Sequence, residues 1–101
     1  MAKKIIWSSE AVADLESLAE YIGRDSLYYA SSFVQEIIEL SKGLNEFHKR
    51  GRVVPELGDV NVRELFIKEY RLMYSVQKSQ IVIVGIIHGK RDLNKLWKKG
   101  K

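Results

Sequence analysis

The sequence predicts an α+β fold of order β-α-α-β-β-β, with two antiparallel helices packed on one face of a mostly antiparallel sheet. Three observations carry that prediction. A branched and aromatic run, KKIIW, opens the chain; two stretches of apolar residues at helical spacing follow it; and residues 60–93 alternate apolar and polar side chains in three runs separated by turn-sized gaps. With 101 residues the chain forms a single domain, 1–101, able to bury a core without staples. It has no cysteine, which excludes a disulfide framework and a thiolate metal site and fits a reducing compartment. Its two histidines, His48 and His88, have no carboxylates at ligand spacing, so neither a metal nor a cofactor is expected. The longest apolar run, Ile81 to Ile87, is too short to cross a bilayer, and the first ten residues lack a signal-peptide core. A soluble cytoplasmic protein with no membrane contact is expected.

In chain order, Lys3 to Trp7 reads as a strand, stopped by Ser8 and Ser9, either of which can cap a helix with Glu10 in its first turn. Ala11, Leu15, Leu18 and Ile22 then form an apolar stripe, and Asp14, Ser17, Glu20 and Arg24 take the polar side. Gly23 ends this helix. Asp25 and Ser26 offer a second cap, after which Ala30, Phe33, Val34, Ile37, Leu40, Leu44 and Phe47 repeat the helical period, with Gly43 a point of thinning or bending. Tyr28 and Tyr29 are expected to pack on the first helix rather than to stack on bases. His48, Lys49, Arg50 and Arg52 form a basic cluster suited to a helix C-terminus. The segment Gly51 to Asp59, with the only proline, is expected to be a loop leading into the sheet.

Turn lengths set the register of the last three strands. If Lys68 and Glu69 make the first two-residue turn, Ile67 faces Tyr70 and Phe66 faces Arg71. If Lys78 and Ser79 make the second, Ile86 faces Arg71 and His88 faces Glu69. Leu65, Ile67, Tyr70, Leu72, Tyr74, Ile81, Ile83 and Ile87 then share the face that receives the helices. Val62, Glu64, Phe66, Arg71, Met73, Val84, Ile86 and His88 share the other. On that second face a guanidinium and an imidazole become diagonal neighbours, able to hold a phosphate and to move a proton. The competing reading is that Glu64 pairs with Arg71 and that His88 ends a strand with an ordinary hydrogen bond.

Charge is unevenly spread. Residues 1–41 carry three basic and seven acidic side chains and residues 42–101 fourteen and six, so a net +4 divides into −4 and +8. The basic part suits a polyanion or an acidic protein partner, or serves solubility alone.

The order of one strand, two helices and three strands, with GRVVPEL before the sheet, VREL, EYRLMYSV and IVIVGIIHGKRDL on its strands, resembles the RelE/ParE toxin superfamily. The resemblance implies the toxin of a bacterial type II toxin–antitoxin system, neutralised by a cognate antitoxin in a hetero-oligomer. ParE-like members poison DNA gyrase; RelE-like members are endoribonucleases that cleave mRNA on the ribosome. On the YRL and GKR motifs, Arg71 and Arg91 match the two arginines of the nuclease branch, and His88 matches a histidine that some nucleases use. Val62 and Glu64 stand where RelE has two lysines, and Trp97 where it has a catalytic tyrosine. The resemblance therefore favours a ParE-like gyrase inhibitor, with Arg63, Lys90, Arg91 and Trp97 as target- or partner-binding residues. The alternative is a nuclease using Arg71, His88 and Arg91, and a third reading is a degenerate antitoxin-binding module. Residues 90–101 form a basic tail or short helix in which Leu93, Leu96 and Trp97 share a side.

Overall fold

The computed structural model describes residues 2–90, and the C-terminal tail lies outside them. The chain runs β1 (Lys4–Trp7), α1 (Ser9–Gly23), α2 (Leu27–Lys42), a short 3-10 turn (Gly43–Asn45), β2 (Arg52–Val53), β3 (Val62–Ile67), β4 (Tyr70–Val76) and β5 (Gln80–His88). The strands make one sheet in the order β1-β5-β4-β3-β2. Only β1 runs parallel to its neighbour; the other three pairings are antiparallel. The expected α+β architecture is thus observed, with a fifth strand in the segment read as a loop. Arg52 and Val53 pair with Glu64 and Arg63, so the chain joins the sheet before Pro55. Because proline lacks an N–H, it removes a ladder donor just beyond that point.

Both helices begin where expected. Ser8 accepts from the Ala11 N–H at 3.0 Å and Ser26 from the Tyr29 N–H at 3.1 Å, each closing one donor of a first turn. The stripe of Ala11, Leu15, Leu18 and Ile22 packs with Phe33 and Ile37 against Leu72, Tyr74, Ile81 and Ile83, which is the main core. Three expectations for the helices are corrected. Leu27, Tyr28 and Tyr29 are 80%, 77% and 65% exposed, because they form the first turn of α2 and its buried face starts only at Ala30. Phe47 is also exposed: α2 stops at Lys42, and the tighter 3-10 turn breaks the period that would have carried Phe47 inward.

Asp14, placed on the polar side by periodicity, instead turns inward and accepts from the Ile86 N–H at 2.9 Å. Strand β1 stops opposite Ile83, so beyond that point no strand among the described residues lies beside this edge of β5, and the carboxylate supplies an acceptor. Replacing Asp14 by alanine should leave that N–H without its partner and cost about 1–3 kcal/mol. A lowered urea midpoint at unchanged slope would register the loss, and an unchanged midpoint would contradict it.

The first hairpin has the expected register, Ile67 with Tyr70 and Phe66 with Arg71, and Lys68 takes the positive φ (53°) that the tight turn needs. The second starts as expected, Val76 with Ile81 and Tyr74 with Ile83. An irregularity between Met73 and Tyr74 then shifts the pairing by one residue, so Met73 faces Gly85, Leu72 faces Ile86, Arg71 faces Ile87 and Tyr70 faces His88. Ile86 and Ile87 therefore exchange faces relative to the expectation. Ile86 enters the main core, while Ile87 joins Val54, Met73, Leu57, Val62 and Val84 in a second cluster on the opposite face.

Candidate functional site

The face of the sheet away from the helices is organised around Arg71. Arg71 is 3% exposed and lies beside Glu64, which is 1% exposed. The guanidinium donates from Nε to Glu64 Oε1, and from Nη1 and Nη2 to the two oxygens of Glu56 at 2.9 and 2.8 Å. Such a two-pronged arrangement is the strongest an arginine makes with one carboxylate. The second oxygen of Glu64 accepts from Arg52 Nε at 2.7 Å, and the Arg52 guanidinium lies over the Phe66 ring at 4.9 Å. One buried carboxylate, one half-buried carboxylate and two arginines thus form a closed, neutral set. The bonds from Arg71 hold the Glu56 carboxyl below its ordinary range against the opposing effect of burial. They likewise keep the Arg71 guanidinium charged, with Glu56 the larger contributor.

Sequence reasoning paired Arg71 with Glu64 as one of two readings, and the structure shows that pair. It missed Glu56. The available signal was Pro55, whose fixed φ turns the segment after β2 back across the sheet and brings Glu56 over Arg71.

His88 is not a neighbour of Arg71. The register shift places it opposite Tyr70, ring to ring at 5.6 Å and 77°, on the face that carries the helices. Adjacent strand residues point to opposite sides, so the expected diagonal pair of Arg71 and His88 does not exist. The position of His88 opposite Glu69 is corrected in the same way. The ring nevertheless lies near Glu69, with Nε2 3.6 Å from Oε2, and Nδ1 accepts from the Lys90 N–H at 3.2 Å. Tyr70, Glu69, Asp14 and Tyr21 line a depression of about 420 Å³ with His88.

Of the expected target- or partner-binding residues, Arg63 is half-buried and tied to backbone, from Nε to the Val60 carbonyl at 3.1 Å and from Nη1 to the Gly51 carbonyl at 2.9 Å. Lys90 is exposed at the end of β5. Arg91 and Trp97 lie outside the described residues, as does the tail 91–101. Arg63 is on β3 and Lys90 in the turn after β5, and among the described residues they line separate depressions. Among the described residues no group of three His, Cys, Asp or Glu side chains could hold a metal ion, and no helix is long and apolar enough to cross a membrane.

Comparison with known proteins agrees with this architecture. The family described as "ParE toxin of type II toxin-antitoxin system, parDE" matches residues 5–93. Toxin RelE2 of Caulobacter vibrioides is 30% identical over 89 residues, covering 87% of this chain and 97% of that protein. A chain of the chromosomal ParDE TA system from P. aeruginosa superposes with a TM-score of 0.71 at 24% identity, covering 86% of this chain and 96% of that one. The last is a likeness of fold.

Proposed function

The chain belongs to the ParE toxin family of type II toxin–antitoxin systems, and from that premise we propose that it acts as a ParE-like inhibitor of DNA gyrase without nuclease chemistry. One observation carries the proposal: Arg71, the arginine a nuclease would aim at the scissile phosphate, is closed in by Glu56 and Glu64. An incoming phosphate would have to displace two carboxylates from a desolvated guanidinium, and Glu64 would then repel it. Val62 and Glu64 supply no cation for a pentavalent phosphorane, and His88 points to the other face. In this reading the target is met by Lys90 and by Arg91 and Trp97 in the basic tail 90–101, with Arg63 directed to a partner. A cognate antitoxin neutralises the toxin in a hetero-oligomer.

The second reading, ribosome-dependent cleavage of mRNA using Arg71, His88 and Arg91, is favoured by the name of the relative Toxin RelE2. The two are separated by incubating the purified protein with gyrase and supercoiled DNA, and with programmed ribosomes. Trapped DNA breaks, intact message and an undiminished effect of His88→Ala are expected. Message cut on the ribosome, and spared by His88→Ala, would overturn the proposal.

A further inference from the structure

At the corner where the 3-10 turn runs on toward β2, two shallow depressions meet and share His48 and Lys49. One continues to Phe47 and Arg50; the other, about 170 Å³, continues to Val60 and Arg63. Phe47 and Val60 are 64% and 65% exposed. Four cations surround this corner: Lys3, Lys49 and Arg63 bear on the His48 imidazole, and Arg50 and Arg63 on the Tyr74 hydroxyl, which accepts from the Gly51 N–H and donates to the His48 carbonyl. Among the described residues none of the four lies within ion-pair distance of a carboxylate, whereas Arg24, Lys42, Arg52, Lys68 and Arg71 each do. Lys3 caps the carbonyls of Gln77 and Lys78, and Arg63 is anchored by its two backbone bonds with Nη2 left over. One acidic residue, Glu46, stands beside Phe47.

We propose that this corner docks an acidic segment of a protein partner, its carboxylates meeting Lys49, Arg50 and Arg63 while an apolar side chain between them lies on Phe47 or Val60. The proposal stands whichever macromolecule the toxin poisons. Charge complementarity sets the sign of the partner, and an anchored fork loses little freedom when a carboxylate reaches it. The smaller depression holds several water-sized groups, which is room for a carboxylate. Nucleic acid is the poorer occupant. Bases need planar faces to stack on, and among the described residues the one exposed ring here is Phe47, flanked by Glu46, whereas Val60 and Val76 offer methyl groups.

His48 provides an internal reporter. Burial first, then Lys3, Lys49 and Arg63, lower its pKa, and its Nδ1 is buried with no hydrogen-bond partner among the described residues. A carboxylate placed beside those cations offsets them, so binding raises the His48 pKa and in turn strengthens as pH falls through that range. The test follows the imidazole signals, assigned with His88→Ala, on titrating three probes of equal length: an alternating Glu/Leu peptide, its Lys/Leu counterpart and a single-stranded oligonucleotide. The Glu/Leu peptide should shift His48 and raise its pKa, more weakly as salt is added. Lys49→Glu and Arg50→Glu, both exposed and checked for an unchanged melting temperature, should each weaken it about tenfold, and Phe47→Ala should weaken it in all salt conditions. Tighter binding of the oligonucleotide, binding indifferent to the charge reversals, or no binding of the acidic peptide would each overturn the proposal.

Discussion

Replacing Arg71 with alanine is expected to destabilise the protein by about 3–5 kcal/mol, because the change leaves two carboxylates, one of them fully buried, facing each other without their shared cation. The magnitude follows from what remains behind. Glu64 keeps only Arg52, whose side chain is more than half exposed, and Glu56 keeps no ion pair among the described residues. Equilibrium unfolding in urea measures the loss, and a cost under about 1 kcal/mol would mean that the network is as weak as a surface ion pair. Any loss of toxicity in this variant must then be read against the fraction still folded. The same network predicts an acid response. The folded-state pKa of Glu56 is depressed by its bonds from Arg71, so its contribution is complete above the ordinary carboxylate range and disappears as pH falls through the lower folded value. Stability should therefore fall below about pH 4, and less so in Glu56→Gln.

Gly51→Ala is the second substitution with a large expected effect. An added Cβ would lie 2.5 Å from the Glu64 carbonyl oxygen and 2.6 Å from the Tyr74 hydroxyl, distances that no side-chain rotation of the new residue relieves. Either the backbone of β3 shifts or Tyr74, a fully buried ring, leaves the hydrogen bonds that join Gly51 to His48. Overpacking of this kind costs about 1–3 kcal/mol, and an orphaned hydroxyl or amide adds about as much again. Thermal unfolding should show the combined loss. Tyr74→Phe in the Gly51→Ala background should recover part of it, since the nearest side-chain atom is then gone, and a further loss would contradict this account.

The parts of the fold that were legible in the sequence are those set by local chemistry. Ser8 and Ser26 announce their helices because a hydroxyl before an apolar period has one obvious use, and the first hairpin follows from a two-residue gap. The errors arose where one residue changes the count. A single register shift between Met73 and Tyr74 carries Ile86, Ile87 and His88 to the wrong faces, and nothing in the run IVIVGIIH marks where an extra residue will sit except Gly85, whose lack of a side chain fits a bulge. Asp14 was misplaced because helical periodicity reports amphipathicity, not the end of a neighbouring strand. The candidate site was half legible. Glu64 and Arg71 occupy non-adjacent rungs of a hairpin whose register was known, whereas Glu56 and the corner around His48 depend on how an irregular segment folds back, for which sequence offers only Pro55 and Gly51.

The pairing of β1 with β5 has a consequence for the life of the toxin in the cell. Lys4 lies beside Gln80 and Trp7 beside Ile83, so the sheet cannot be completed until the ribosome has passed residue 83. Until then the nascent chain has its helices and an unpaired apolar first strand but no finished sheet. For a member of a toxin family, this ties the finished sheet to the synthesis of its fifth strand.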